Sequence, residues 1–163
     1  MNSDSSSLEV GALSETGYVR NENQDRMSWS PVPLGQLYIV ADGMGGHNGG
    51  ALAAETAVQE LQRHISQAPV GEPVDQVIHA AFKKANETVY AKAHSGDPAT
   101  EGMGTTAVLL LISGQVANLA HVGDSRAYLY RNGRLSQLTT DHTVVQSILN
   151  SDMAQPGLEL LTH

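Results

Sequence analysis

The chain has 163 residues, 40% of them hydrophobic and 16% charged, and it contains no cysteine. A single domain of this size buries roughly 70% of the surface its unfolded form exposes; the composition excludes a disordered chain, a disulfide framework, a thiolate nucleophile and cysteine-based zinc sites. Nine Lys and Arg against seventeen Asp and Glu leave a net charge of −8, which excludes ordinary nucleic-acid binding, because that affinity rests on cationic side chains displacing counterions.

The serine-rich start, residues 1–7, reads as a disordered tail. It has neither the basic start nor the apolar middle of a signal peptide. The longest apolar run, Ala107 to Ile112, is far short of the roughly 20 residues that span a bilayer. No membrane association is expected, and the expected location is cytoplasmic. The polar stretch Arg20-Asn21-Glu22-Asn23-Gln24-Asp25-Arg26, taken alone, reads as a solvated loop. Gln36 to Ala41 reads as a buried strand that runs into Asp42 and a loop with five glycines between Asp42 and Gly50. Ala51, Ala54, Val58, Leu61 and Ile65 recur at steps of three and four, the period of an amphipathic helix. Pro69 and Gly71 mark its end.

A second helix opens at Pro73, carries the stripe Val74, Val77, Ile78, Ala81, Phe82, Ala85 and Val89, and stops at Gly96-Asp97-Pro98. The second half changes period. Thr106 to Ile112 and Val116 to Val122 read as strands joined at Ser113-Gly114. A polar corner, Gly123-Asp124-Ser125, leads to Ala127 to Arg131, and Asn132-Gly133, a strong hairpin signal, leads to Leu135 to Leu138. Connections this short demand an antiparallel meander. The expected class is therefore α+β, with helices packed on antiparallel sheet. A short helix is expected over 143–150.

Three polar stretches could carry chemistry. Asp42 ends a buried strand where glycines let backbone carbonyls approach a ligand, and a carboxylate with the Gly43 carbonyl suits Mg²⁺ or Mn²⁺ better than zinc. An isolated Asp-Gly pair is usually just a turn; the strand ahead and the glycines behind bring the two readings level. Asp124 stands at a second strand end, in a sequence that would also make a plain turn. Arg20 offers a rigid fork suited to a phosphate dianion, and Asp25 a carboxylate able to hold a water. His64, His79 and His94 read as helix-surface residues; His47, inside the glycine loop, is the one histidine with a functional reading. Gly102-Met103-Gly104-Thr105-Thr106-Ala107 fits the dinucleotide pattern but has a strand after it, where that pattern needs a helix.

Five segments in order resemble the bacterial type of the PPM (PP2C-like) metal-dependent protein serine/threonine phosphatases. They are Thr16-Gly17-Tyr18-Val19-Arg20 with Asn23-Gln24-Asp25; Val40-Ala41-Asp42-Gly43-Met44-Gly45-Gly46-His47; Gly102-Met103-Gly104-Thr105-Thr106; His121-Val122-Gly123-Asp124-Ser125-Arg126-Ala127-Tyr128; and Leu138-Thr139-Thr140-Asp141-His142-Thr143. The resemblance implies an antiparallel β-sandwich between helix layers, four layers in all (α-β-β-α), of which residues 1–163 are the N-terminal part. It implies two Mn²⁺ or Mg²⁺ ions bridged by Asp42 with help from the Gly43 carbonyl, and a third, weaker metal site at Asp124. The metals would activate a water for in-line attack on phosphoserine or phosphothreonine. Arg20 would grip the phosphoryl oxygens and Asp25 would orient a metal-bound water. The general acid proposed in animal members follows the bridging aspartate; Met44 stands there in this chain, leaving His47 as the candidate. Gln24 stands where many animal members carry a metal-binding glutamate.

The resemblance further implies two later aspartate motifs, which do not occur before His163. The chain is accordingly expected to be the N-terminal part of a phosphatase domain with little or no turnover. The expected partners are phosphorylated proteins and a cognate serine/threonine kinase, and the chain is expected to be a monomer. Two rivals stand beside this reading: a non-catalytic module that binds phosphoproteins or regulates a kinase through the same cleft, and a folding-defective fragment with exposed sheet edges.

Overall fold

The structure, a computed structural model, describes residues 8–45, 49–69 and 71–142. The expected tail over 1–7, His47 and the expected helix over 143–150 lie outside the described residues.

Strands β1 (Asp25–Val32) and β2 (Gly35–Met44) are followed by helices α1 (Gly49–Ser66) and α2 (Val74–Ala93). Then come β3 (Gly104–Thr105), β4 (Ala107–Ser113), β5 (Val116–Val122), β6 (Tyr128–Arg131) and β7 (Arg134–Gln137). The main sheet is antiparallel in the order β1-β2-β4-β5, with the two-residue β3 pairing the end of β2. The α+β class with antiparallel sheet holds. Among the described residues the helices form one layer.

Alternation along β2 explains that layering. Leu37, Ile39, Ala41 and Gly43 are buried, while Gln36, Val40, Asp42 and Met44 are exposed. The buried side meets Leu109 and Leu111 of β4 and Ala54, Val58, Leu61 and Ile65 of α1 in one core, which Val77, Ile78, Ala81 and Ala85 of α2 complete. Helix α1 packs against both the sheet and α2, while α2 also touches β3 and β5, so the apolar stripe of α1 is wide. Ala53 and Ala57 face a second cluster with Val89, Ala93 and Met103. Each large aliphatic side chain fully buried in the core, such as Leu61 or Leu109, contributes about 1.5–3 kcal/mol over its exposed state.

Two expectations are corrected. The stretch Arg20–Arg26 is not all loop, since Asp25 and Arg26 open the edge strand β1. The helix-facing side of that strand is polar: Ser28 Oγ donates to Gln62 Oε1 at 2.8 Å, and Arg26 lies 3.6 Å from Glu55. The meander is also interrupted. β4 and β5 join the main sheet, whereas β6 and β7 form a separate two-stranded ribbon. The break falls at Gly123, whose φ of +92° suits glycine and whose absent Cβ would lie 2.7 Å from Thr106 Cγ2.

Candidate active site

Asp42 lies inside β2, two residues before its end at Met44, with its side chain on the sheet face turned away from the helices. In the β1–β2 register Asp25 stands directly opposite Asp42, so both carboxylates rise from the same face of the sheet. The pair perturbs itself. Partial burial lifts the Asp42 carboxyl above its ordinary range. Asp25 lifts it further, by its charge and by the hydrogen bond the two groups share when one is protonated. Arg20 pulls in the opposite direction, and Asp124 adds a weaker push upward. Four of the side chains singled out in the sequence therefore share one electrostatic neighbourhood: Arg20, Asp25, Asp42 and Asp124.

The backbone of Asp42 is pinned by two threonines. Its N–H donates to Thr106 Oγ1 at 3.0 Å, and its carbonyl accepts from Thr106 N–H at 2.9 Å and from Thr105 Oγ1 at 3.0 Å. Thr106 is almost fully buried, and its hydroxyl also shares a 2.6 Å hydrogen bond with Ser125 Oγ. One side chain thus ties the Asp42 strand to the corner that carries Asp124. The Gly102–Thr106 segment fails as a nucleotide motif and carries part of the family resemblance, but neither reading assigns this role to Thr106. The signal was two threonines standing immediately before a buried strand.

The Asp124 corner is held from the other side by residues 139–142. His142 N–H donates to the Gly123 carbonyl at 2.9 Å, and Thr139 Oγ1 accepts from Ala127 N–H at 3.2 Å. The His121 and His142 rings stack with centroids 4.5 Å apart. Arg126 grips Asp141 with both Nε and Nη2, at 2.9 and 2.6 Å. That fork holds the Asp141 carboxyl below its ordinary range.

Gly43 has a packing reason to be glycine. A Cβ there would lie 1.9 Å from the Gly50 carbonyl oxygen and 2.9 Å from that of Gln24. Met44, where the resemblance leads one to expect a proton donor in animal members, is exposed and offers no transferable proton.

The oxygen-only donors fit a hard divalent cation. A cation is the natural counterweight to two like charges held opposite each other, and with no thiolate in the chain the set favours Mg²⁺ or Mn²⁺ over zinc. No three acidic or histidine side chains among the described residues stand close enough to share one cation. Asp124 is thus a neighbour of the Asp25–Asp42 pair and not a third member of it.

Comparison with known proteins bears on this arrangement. The family described as Protein phosphatase 2C matches residues 10–147. The chain belongs to the protein phosphatase 2C family. It is 36% identical over 149 residues to the serine/threonine protein phosphatase PstP of Mycobacterium tuberculosis, a match covering 91% of this chain and 28% of PstP. It is 36% identical over 154 residues to the protein phosphatase PhpP of Streptococcus pneumoniae, covering 91% of this chain and 61% of PhpP. Among solved structures, the catalytic domain of PstP in complex with two manganese ions superposes with a TM-score of 0.71 at 34% identity, covering 92% of this chain and 64% of that one. The S. agalactiae serine/threonine phosphatase superposes with a TM-score of 0.76 at 31% identity, covering 87% and 59%. The chain thus spans less than two thirds of each of these phosphatase 2C relatives. No helix among the described residues is long and apolar enough to cross a membrane.

Proposed function

We propose that the face carrying Asp25 and Asp42 is the metal-binding half of a protein serine/threonine phosphatase site. The observation that carries this reading is the cross-strand pairing of those two carboxylates, within electrostatic reach of Arg20 and Asp124. Asp42 is the central ligand, with the Gly43 carbonyl beside it, and two Mn²⁺ or Mg²⁺ ions are the cofactors. Asp124 belongs to a third, weaker site. When bound, such ions supply the acidity that makes water a nucleophile at neutral pH and shield the charge of the phosphoryl group.

The chain's own residues do the rest. Asp25 orients water at the pair by accepting its hydrogen bonds. The planar Arg20 guanidinium binds phosphoryl oxygens through parallel N–H donors. Thr105 and Thr106 keep the Asp42 backbone fixed, so the carboxylate does not drift as charge develops. His47 is the candidate proton donor to the leaving serine or threonine oxygen. The substrates are phosphorylated proteins, the regulatory counterpart is a cognate serine/threonine kinase, and the protein acts as a cytoplasmic monomer.

Coordination sets the limit. Each octahedral ion wants about six oxygens, and Asp42 with the Gly43 carbonyl leaves most positions to water. The 163 residues by themselves therefore turn over slowly. A sensitive assay with Mn²⁺ and a phosphothreonine peptide tests this; the expected result is faint turnover abolished by Asp42→Asn. Robust turnover would show that further carboxylates are dispensable. Turnover unaffected by Asp42→Asn would remove the site from this face. Tight phosphopeptide binding with no hydrolysis would favour the non-catalytic module.

A further inference from the structure

We propose that Gln24 is a positioning residue, whose carboxamide lies in the space left open by Gly50 and holds the Arg20 guanidinium ready for a phosphoryl group. The inference rests on the reading of Arg20 as the phosphate-binding residue.

Arg20 is exposed on the stretch ahead of β1, where a long side chain has many rotamers. Its Nη1 donates to Gln24 Oε1 at 3.2 Å. Gln24 is itself anchored on two sides. Its carbonyl accepts the Gly43 N–H at 3.2 Å, fixing its backbone beside Asp42. Its carboxamide lies over the first turn of α1, so close that a Cβ on Gly50 would come within 2.6 Å of Oε1, 2.7 Å of Cδ and 3.0 Å of Nε2. The atoms that would clash are the far end of a flexible side chain. An alanine at position 50 would therefore evict the carboxamide and leave the backbone in place. The glycine is needed for the Gln24 pose more than for the helix.

The chemical type of the acceptor matters as well. A carboxylate at position 24 would orient Arg20 but neutralise it, and would add a third negative charge beside Asp25 and Asp42. A neutral amide oxygen occupies one of the five guanidinium donors and leaves the positive charge and the remaining N–H groups for a phosphate dianion. Gln24 is thus suited to aim the arginine without spending its charge.

The test uses the full chain with Arg20→Ala, Gln24→Leu, Gln24→Glu, Gly50→Ala and the double variant Arg20→Ala/Gln24→Leu. Side-chain ¹⁵N NMR reads the order of the Arg20 guanidinium without metal, and inorganic phosphate titrated in Mg²⁺ reads its use. Gln24→Leu and Gly50→Ala are expected to mobilise Arg20 and weaken phosphate by about three- to tenfold. Gln24→Glu is expected to keep Arg20 ordered yet also weaken phosphate. The double variant is expected to bind no more weakly than Arg20→Ala alone. Unchanged phosphate affinity in Arg20→Ala would defeat the phosphate reading of that arginine, and this proposal with it. A loss in Arg20→Ala with none in Gln24→Leu would defeat only the positioning role. So would an equal further loss from Gln24→Leu in the Arg20→Ala background.

Discussion

Asp25 and Asp42 face each other directly across the β1–β2 ladder, an arrangement that sets like charges side by side and costs the fold stability unless a cation screens them. Like charges directly opposite in an antiparallel pair are destabilising, by a few tenths of a kcal/mol up to about 1 kcal/mol. Function and stability pull apart at this position.

Asp42→Asn removes one of the two charges and keeps the shape of the side chain. In metal-free buffer it is expected to raise the melting temperature by about 1–3 °C. Added Mn²⁺ is expected to stabilise the wild type and leave the variant unmoved. Calorimetry with and without metal checks both arms; a variant less stable than the wild type without metal would mean that the pair is not strained.

Thr106→Val keeps volume and loses the hydroxyl that accepts from Asp42 N–H and bonds Ser125. A cost of about 1–2 kcal/mol is expected, together with weaker Mn²⁺ binding, and Thr106→Ser should restore both. Chemical denaturation and metal titration of the three proteins measure this. Metal affinity unchanged in the valine variant would show that the hydroxyl stabilises the fold without shaping the site.

The helices and the hairpin were legible because their signals are local. The three-and-four spacing of Ala54, Val58, Leu61 and Ile65 is buried as its period requires, and Asn132-Gly133 turns with positive φ at both residues, 53° and 76°. Asp42 was legible as a carboxylate at a glycine-rich strand end, and the order of five motifs named its family. The contact with Asp25 was not, because β1 hides its strand period. Its inner side carries Ser28 and Ser30, which hydrogen-bond Gln62 in place of apolar packing. The role of Thr106 was equally hidden, since it joins residues 64 positions and 19 positions away in the chain.

Gly43→Ala sets a methyl 1.9 Å from the Gly50 carbonyl oxygen, a clash that only a backbone shift relieves. It is expected to destabilise the fold by about 3 kcal/mol, at the upper end of overpacking costs. For the same change at Gly50 the three nearest atoms all belong to the flexible Gln24 carboxamide, and the melting temperature should stay within about 2 °C. Comparable losses in both variants would mean that the two glycines do the same packing work.

The Arg126–Asp141 fork predicts a pH dependence. Arg126 holds the folded Asp141 carboxyl below its unfolded value, so the contribution is present above about pH 4 and is lost as pH falls through the lowered folded value. The melting-temperature gap between the wild type and Asp141→Asn should be constant from about pH 5 to 8 and should narrow below about pH 4. A gap that widens on acidification would reverse the assignment.

Titrating the full chain with Mn²⁺, and following the free ion by electron paramagnetic resonance in wild type and Asp42→Asn side by side, tests the metal role of the carboxylate pair most directly. The wild type should deplete the free-ion signal and Asp42→Asn should leave it as in buffer. Equal depletion by both proteins, or none by the wild type, would contradict the assignment of this sheet face as the metal site.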